Sequence, residues 1–487
     1  MPRHFAALIA ALCALTACTA PASSPDPSGS SAPAPEGSSQ AVAAAWPEPK
    51  SDRPVVELSF DVAEDLRSVT GRERIRFTPD RRVCELVFRL WPNGPSSAES
   101  GNSLSVSAVR LGSTALQVTS EPAGAPAGSP GTILIAALPT CVDAGSPVTA
   151  DLDFTVRLAP RTDGRIGYSS AAQVAWFGTA FPLLAWQDGV GWVRDPAVSV
   201  IGESATSETF DLSSLRVTAP ARFDVAGVGR PVGTTPGRAP DTTVHEFAAD
   251  AVRDVTVTVG RIDLTTFDAS GTSVTLALPE AGSRADAGRW RAQVTESLAE
   301  LVAQFGPVPY PNLWISVLPE VTDGVEYPGA VQQGDVYPAQ ERWLITHELA
   351  HQWFYGLVGN NQGKDPWLDE ALATYAQEVV EPTSLSHDDP QEWLGFEGAV
   401  GESMAQWNER RRSSDAYVAT VYRRGGRALL QARQEAGPAA FDAAIGAYLR
   451  ANAHRIATPA DLATALEPVP QARRVLQEAG ALPSAAD

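Results

Sequence analysis

The stretch HELAHQWF, residues 347–354, sets His347 and His351 four apart with Glu348 directly after the first. On an α-helix, residues four apart project from one side about a turn apart, so both imidazoles can reach one zinc ion. Glu348, turned about 100° from His347, can touch a water beside that ion without being a ligand. The competing reading is two hydrogen-bonded core histidines, but only six histidines occur in 487 residues and this pattern has a known mechanism.

A second acidic residue completes the arrangement. In DPWLDEALATY, Asp365 and Pro366 predict a helix start, a cap residue followed by proline at the first helical position. Glu370 then lies among Trp367, Leu368, Leu372 and Tyr375, where a carboxylate is costly unless a cation meets it. Two histidines and a glutamate on one zinc ion per chain leave a position open for water, the catalytic pattern of coordination.

The elements that must hold these groups follow from periodicity. Leu344, His347, His351, Phe354 and Val358 form one stripe at helical spacing, and Ile345, Leu349 and Trp353 a second, so a helix through this segment is largely buried. Residues 284–306 have apolar residues at helical spacing and a terminal glycine, and Asn312–Pro319 reads as a strand. Before them, from about Arg53 to Thr266, short segments such as VVELSFDV (55–62), TADLDFTVRL (149–158) and VTVTVGRIDL (255–264) alternate with a period of two between turn signals. That pattern predicts an antiparallel, sandwich-like β domain over 51–266, followed by a small sheet and helices in an α+β domain over 267–487.

Composition narrows the function classes. The net charge of −20, from 57 acidic and 37 basic residues, argues against nucleic acid or an anionic membrane held by charge. Residues 1–18 combine a short basic start with an apolar run too short to span a bilayer, which predicts a secretion signal. The run ends in LTAC, resembling the bacterial lipobox, so Cys18 is expected to be lipidated and to hold the protein on the outer face of the cell membrane. Residues 19–50, rich in Ser, Pro, Ala and Gly, are expected to form a disordered tether. Past the leader only Cys84 and Cys141 remain, most simply a disulfide in an exported protein, with two buried free thiols as the alternative.

H-E-x-x-H, eighteen residues, then Glu, with HQWF after the first part and WLDEALATY around the second, resembles the aminopeptidase N family of gluzincin zinc metallopeptidases. The similarity covers about residues 53 to 470, and it implies a thermolysin-like catalytic domain behind the β domain. The family's Gly-x-Met-Glu-Asn motif, whose glutamate binds the substrate's free amino group, aligns Gly324 and Glu326, with Val325 for Met and Tyr327 for Asn. Downstream, Tyr422 ahead of RRGG aligns with the tyrosine whose hydroxyl stabilises the oxyanion, and Tyr417 sits where related enzymes have a second active-site tyrosine. Gln173 is a candidate from the β domain to help Glu326 hold the substrate.

The resemblance implies an aminopeptidase acting on peptides, with His347, His351 and Glu370 on zinc and Glu348 as general base. An endopeptidase or an epoxide hydrolase on the same scaffold is the alternative, and a non-catalytic binding protein a further one. Many members continue into a C-terminal helical domain, whereas this sequence stops at Asp487, so a more open site is expected.

Overall fold

The structure, a computed structural model, describes residues 45–160, 164–200, 205–382, 395–410 and 413–483. Cys18 lies outside the described residues. The tether expected to reach residue 50 meets the body earlier. Trp46 donates its indole N–H to the Pro307 carbonyl (2.9 Å) and lies under the Arg450 guanidinium.

The N-terminal part is built on an eight-stranded sheet. Its strands run Arg230–Pro236, Thr242–Val252, Phe210–Pro220, Val55–Val62, Ser68–Phe77, Val148–Arg157, Ser103–Leu111 and Thr114–Ala115. Alternation is clean where expected: in Ser68–Phe77 the residues Val69, Gly71, Glu73, Ile75 and Phe77 face inward and their neighbours outward. The sheet is mixed rather than purely antiparallel, because Val55–Val62 pairs in parallel with Phe210–Pro220. That pairing joins segments far apart in sequence, which alternation does not reveal. This part also holds two four-stranded sheets, one containing Ile166–Ser169 and Val174–Gly178, the other Val83–Arg89 and Ile133–Val142, and a two-stranded pair, Trp186–Gln187 with Gly191–Trp192. In the second four-stranded sheet a disulfide joins Cys84 to Cys141.

The segment 255–264 is two strands, not one. Thr256–Gly260 belongs to a sheet of the N-terminal part, and Ile262–Ala269 begins a five-stranded sheet with Thr272–Pro279, Asn312–Leu318, Ala330–Gly334 and Gly324–Tyr327. At Gly260 a side chain would overlap the Gln173 carbonyl, so glycine there lets the chain pass close and turn into the next sheet.

Helices cover this sheet. Ala287–Phe305 begins at Asp286, whose carboxylate accepts the Arg289 N–H (3.0 Å), and ends at Gly306 with φ 94°. Such a cap stabilises by about 1 kcal/mol. One apolar core lies within the N-terminal part and reaches Tyr310, Trp314, Val325 and Tyr327 of the five-stranded sheet, while a second lies among the helices. The five-stranded sheet is thus packed on both sides, which fixes its edge strand Gly324–Tyr327.

Candidate metal centre and its cleft

His347 and His351 stand on the helix Arg342–Ala350, which ends earlier than the stripe of apolar residues suggests. After His351 the backbone first tightens, Gln352 and Trp353 N–H bonding three residues back to Leu349 (3.1 Å) and Ala350 (3.0 Å), and then widens. Gly356 N–H bonds to the His351 carbonyl (2.8 Å), Leu357 to Gln352 (3.0 Å) and Val358 to Trp353 (3.1 Å), each five residues back. Phe354 and Val358 therefore do not continue the α-helical stripe. The looser turn brings the Phe354 carbonyl to His351 Nδ1 at 3.0 Å, and Asp369 Oδ1 approaches the same nitrogen at 2.8 Å. With Nδ1 committed as a donor, Nε2 is the nitrogen left with a lone pair.

Glu370 projects from the helix Trp367–Val380. Asp365 does not cap it with its side chain: Pro366 holds the cap position, and Asp365 contributes its backbone carbonyl to the Leu368 N–H (3.2 Å). Asp369 and Glu370 lie in the first turn, where the helix dipole favours negative charge.

The two helices bring three atoms together. His347 Nε2 is 3.2 Å from Glu370 Oε2 and 3.2 Å from His351 Nε2, and His351 Nε2 is 3.5 Å from Glu370 Oε2. Ligand bonds of about 2.0–2.1 Å in a tetrahedron imply ligand–ligand edges of about 3.3–3.4 Å, so the donor set fits zinc. Its charge fits as well. Glu326, Glu348, Asp369 and Glu370 are all buried here, and such a concentration of carboxyl groups calls for a cation.

Burial lowers the pKa of His347 against the opposing hydrogen bond from Glu370, favouring the neutral imidazole that a metal needs. Burial would lower His351 too, but Asp369 and Glu370 outweigh it and hold its pKa well above the usual histidine range. Burial pushes Glu348 well above the carboxylate range; His351 pulls the other way and Glu326 and Glu370 add to the rise. Among the described residues, Glu348 Oε2 is buried without a hydrogen-bond partner.

These groups line a cleft of about 900 Å³, together with Glu326, Gly324, Tyr422 and Arg165. Glu326 is on the edge strand Gly324–Tyr327, and a carboxylate oxygen of it lies within 4.8 Å of donor atoms of Glu348 and His351. Tyr422 stacks on His347, ring centroids 5.8 Å apart and planes 17° from parallel. It sits on a π-helical segment, Val418–Arg424, rather than at a helix start. The following glycines explain how that segment comes so close: a Cβ on Gly425 would lie 2.6 Å from Ala371 Cβ, and one on Gly426 2.7 Å from Thr374 Cγ2. Gly-Gly thus seats the tyrosine segment on the Glu370 helix.

Two expected residues lie elsewhere. Tyr417 is fully buried, edge-on to Tyr422 and Trp407, and supports the Tyr422 ring from behind instead of lining the cleft. Gln173 sits at the turn of the Ile166–Ser169/Val174–Gly178 hairpin, where its amide oxygen accepts from Arg261 Nε (3.1 Å). Arg165, at the opposite end of the same hairpin and roughly 13 Å away at the usual strand rise, is the residue that reaches Glu326. Sequence reasoning missed Arg165, since nothing local marks an arginine before a short strand as part of a site 161 positions away. It missed Gln362 as well, whose amide Nε2 bonds Asp369 Oδ2 (2.9 Å) and reaches Glu326 Oε1 (3.5 Å).

Fold and site together give a metal-binding arrangement of the H-E-x-x-H…Glu type, with His347, His351 and Glu370 as its donor set. Residues 337–478 match the Peptidase family M1 domain. The chain is 25% identical over 210 residues to Aminopeptidase M1 of Arabidopsis thaliana, covering 38% of this chain and 24% of that protein. To Aminopeptidase N of Streptomyces lividans it is 28% identical over 137 residues, 25% of this chain and 16% of the relative. The matched stretches thus span about a quarter or less of those relatives' lengths. An M1 zinc metallopeptidase from Deinococcus radiodurans has the same fold, with TM-score 0.61 at 18% identity, covering 89% of this chain and 95% of that one. A mutant of that metallopeptidase bound to a Tyr-Ser-Ala substrate gives TM-score 0.60 at 18% identity over 91% and 98%.

Proposed function

We propose that this protein is a zinc-dependent aminopeptidase that removes single residues from the N-termini of peptides. The observation that carries the reading is the convergence of His347 Nε2, His351 Nε2 and Glu370 Oε2 within 3.5 Å of one another, beside a buried base and a buried anchoring carboxylate. Zinc held by these three side chains would supply Lewis acidity toward the scissile carbonyl and lower the pKa of a water.

The chain's own groups do the rest. Glu348, whose Oε2 has no hydrogen-bond partner among the described residues, takes the proton of the attacking water and passes it to the leaving amine. Tyr422, stacked on His347, donates its hydroxyl to the oxyanion as charge develops there. Glu326 pairs with the α-ammonium and so sets the distance from N-terminus to scissile bond. An endopeptidase or epoxide hydrolase needs no such anchor, and a binding protein needs no Glu348. The similar metallopeptidase mutant bound to a Tyr-Ser-Ala substrate supports peptides as substrates.

The test is removal and return of the metal. Dialysis against a chelator should abolish release of amino acids from peptides, and one equivalent of zinc should restore it. Turnover that survives complete zinc removal would sink the reading.

We also propose that the protein is lipid-anchored through Cys18 on the outer face of the cell membrane, on the strength of the LTAC stretch and the tether composition. No helix among the described residues is long and apolar enough to cross a membrane. Cys18→Ser should shift the protein from the membrane fraction to the soluble one; unchanged fractionation would contradict the anchor.

A further inference from the structure

The anchoring carboxylate is held from the far side of the molecule. Arg165 Nη2 lies 3.3 Å from Glu326 Oε1, and the two side chains are 6% and 5% exposed. Gln362 Nε2 approaches the same oxygen at 3.5 Å. Both donors therefore fall on Oε1, and among the described residues no hydrogen bond falls on Oε2.

Arg165 is itself built in. Its guanidinium lies over the rings of Trp91 (5.5 Å to the centroid) and Tyr327 (5.6 Å). Tyr327 is fully buried and occupies the place where the family motif has asparagine. Its ring fits because residue 178, paired by backbone with Arg165, is glycine: any side chain there would overlap the Tyr327 hydroxyl. The departure of Tyr327 from the family pattern, the glycine opposite and the arginine form one arrangement. A planar cation between two aromatic rings loses little by being fixed, which suits Arg better than Lys.

We propose that Arg165 is a positioning residue for the substrate N-terminus. By pinning Glu326 Oε1 from the N-terminal part, it leaves Oε2 directed at the α-ammonium of an unblocked peptide. This deepens the aminopeptidase reading and rests on it. Arg165 acts through Glu326, so its effect belongs in KM for free N-termini, not in the chemical step.

The experiment compares a peptide with its N-acetylated twin on the full zinc-loaded protein, measuring kcat and KM for wild type, Arg165→Gln, Arg165→Lys, Glu326→Gln and the double Arg165→Gln/Glu326→Gln variant. Losing a hydrogen bond to a charged group predicts that Arg165→Gln raises KM for the free peptide about tenfold while kcat stays within about threefold. Arg165→Lys should recover part of the loss, because it keeps the charge but not the planar fork. In the Glu326→Gln background, Arg165→Gln should add less than about threefold, the signature of coupled residues.

An equal KM rise in both backgrounds, or a fall in kcat with KM unchanged, would overturn the inference as a purely structural effect. If Arg165→Gln fails to fold, Arg165→Lys decides, and wild-type KM and selectivity in that variant would overturn the inference. A wild type that cleaves both peptides equally would instead overturn the aminopeptidase reading, and this inference with it.

Discussion

Gly324 lies directly against Glu348: a Cβ at position 324 would overlap Glu348 Cγ and Cδ. The glycine aligned with the family motif therefore makes room for Glu348, the proposed general base, and its φ is not the reason for it. Gly324→Ala should displace Glu348 while leaving the metal ligands in place. Misplacing a catalytic group by about 1 Å can cost about 10²-fold, so we expect kcat to fall by about that factor with zinc content unchanged. Near-wild-type kcat would show that the strand yields instead.

How much of this was legible beforehand differs by residue. His347 and His351 could be read because helical geometry turns a four-residue spacing into spatial proximity, and Glu370, on a separate helix, because a carboxylate among apolar neighbours needs a cation. Glu326 was reachable through a motif, although its place on an edge strand was not. Arg165 could not be read, because a hairpin carries it to Glu326 and which end of the hairpin faces the cleft is decided by pairing. Gln173 stood at the wrong end. The end of the helix after Ala350 was hidden for a related reason: Trp353, Phe354 and Val358 are buried as a helix would bury them, but through a turn whose hydrogen bonds shift from three residues to five.

Glu348→Gln removes the proposed proton acceptor and keeps all three proposed metal ligands. Loss of general-base catalysis typically costs about 10²–10⁴-fold, so kcat should drop in that range while zinc stoichiometry stays at one per chain. Retained turnover would remove Glu348 from its role.

Asp369 stands behind His351, 2.8 Å from Nδ1, and is itself held by Gln362. Carboxylates in this position orient the ligand imidazole, and their loss weakens metal binding about 10–100-fold. Asp369→Asn should raise the zinc dissociation constant by that order in competition with a chelating dye. An unchanged constant would mean that the Phe354 carbonyl alone orients His351.

Glu73 tests the N-terminal part independently. It points into the sandwich core, and neither carboxylate oxygen has a hydrogen-bond partner among the described residues. Burial holds its pKa well above the carboxylate range. The folded state then binds more protons than the unfolded state, so stability from this group falls as pH rises above the unfolded pKa of about 4.3. Glu73→Gln should flatten that fall, and thermal melts of the two proteins should diverge as the pH is raised above the unfolded pKa of about 4.3. Parallel curves would contradict the assignment.

The central claim is an N-terminal exopeptidase, and mass analysis of a single digest tests it most directly. Incubated with an unblocked peptide and its N-acetylated twin, the zinc-loaded protein should shorten the first by successive single residues from the N-terminus and leave the second intact. Internal cleavage, or equal attack on the acetylated peptide, would contradict the account.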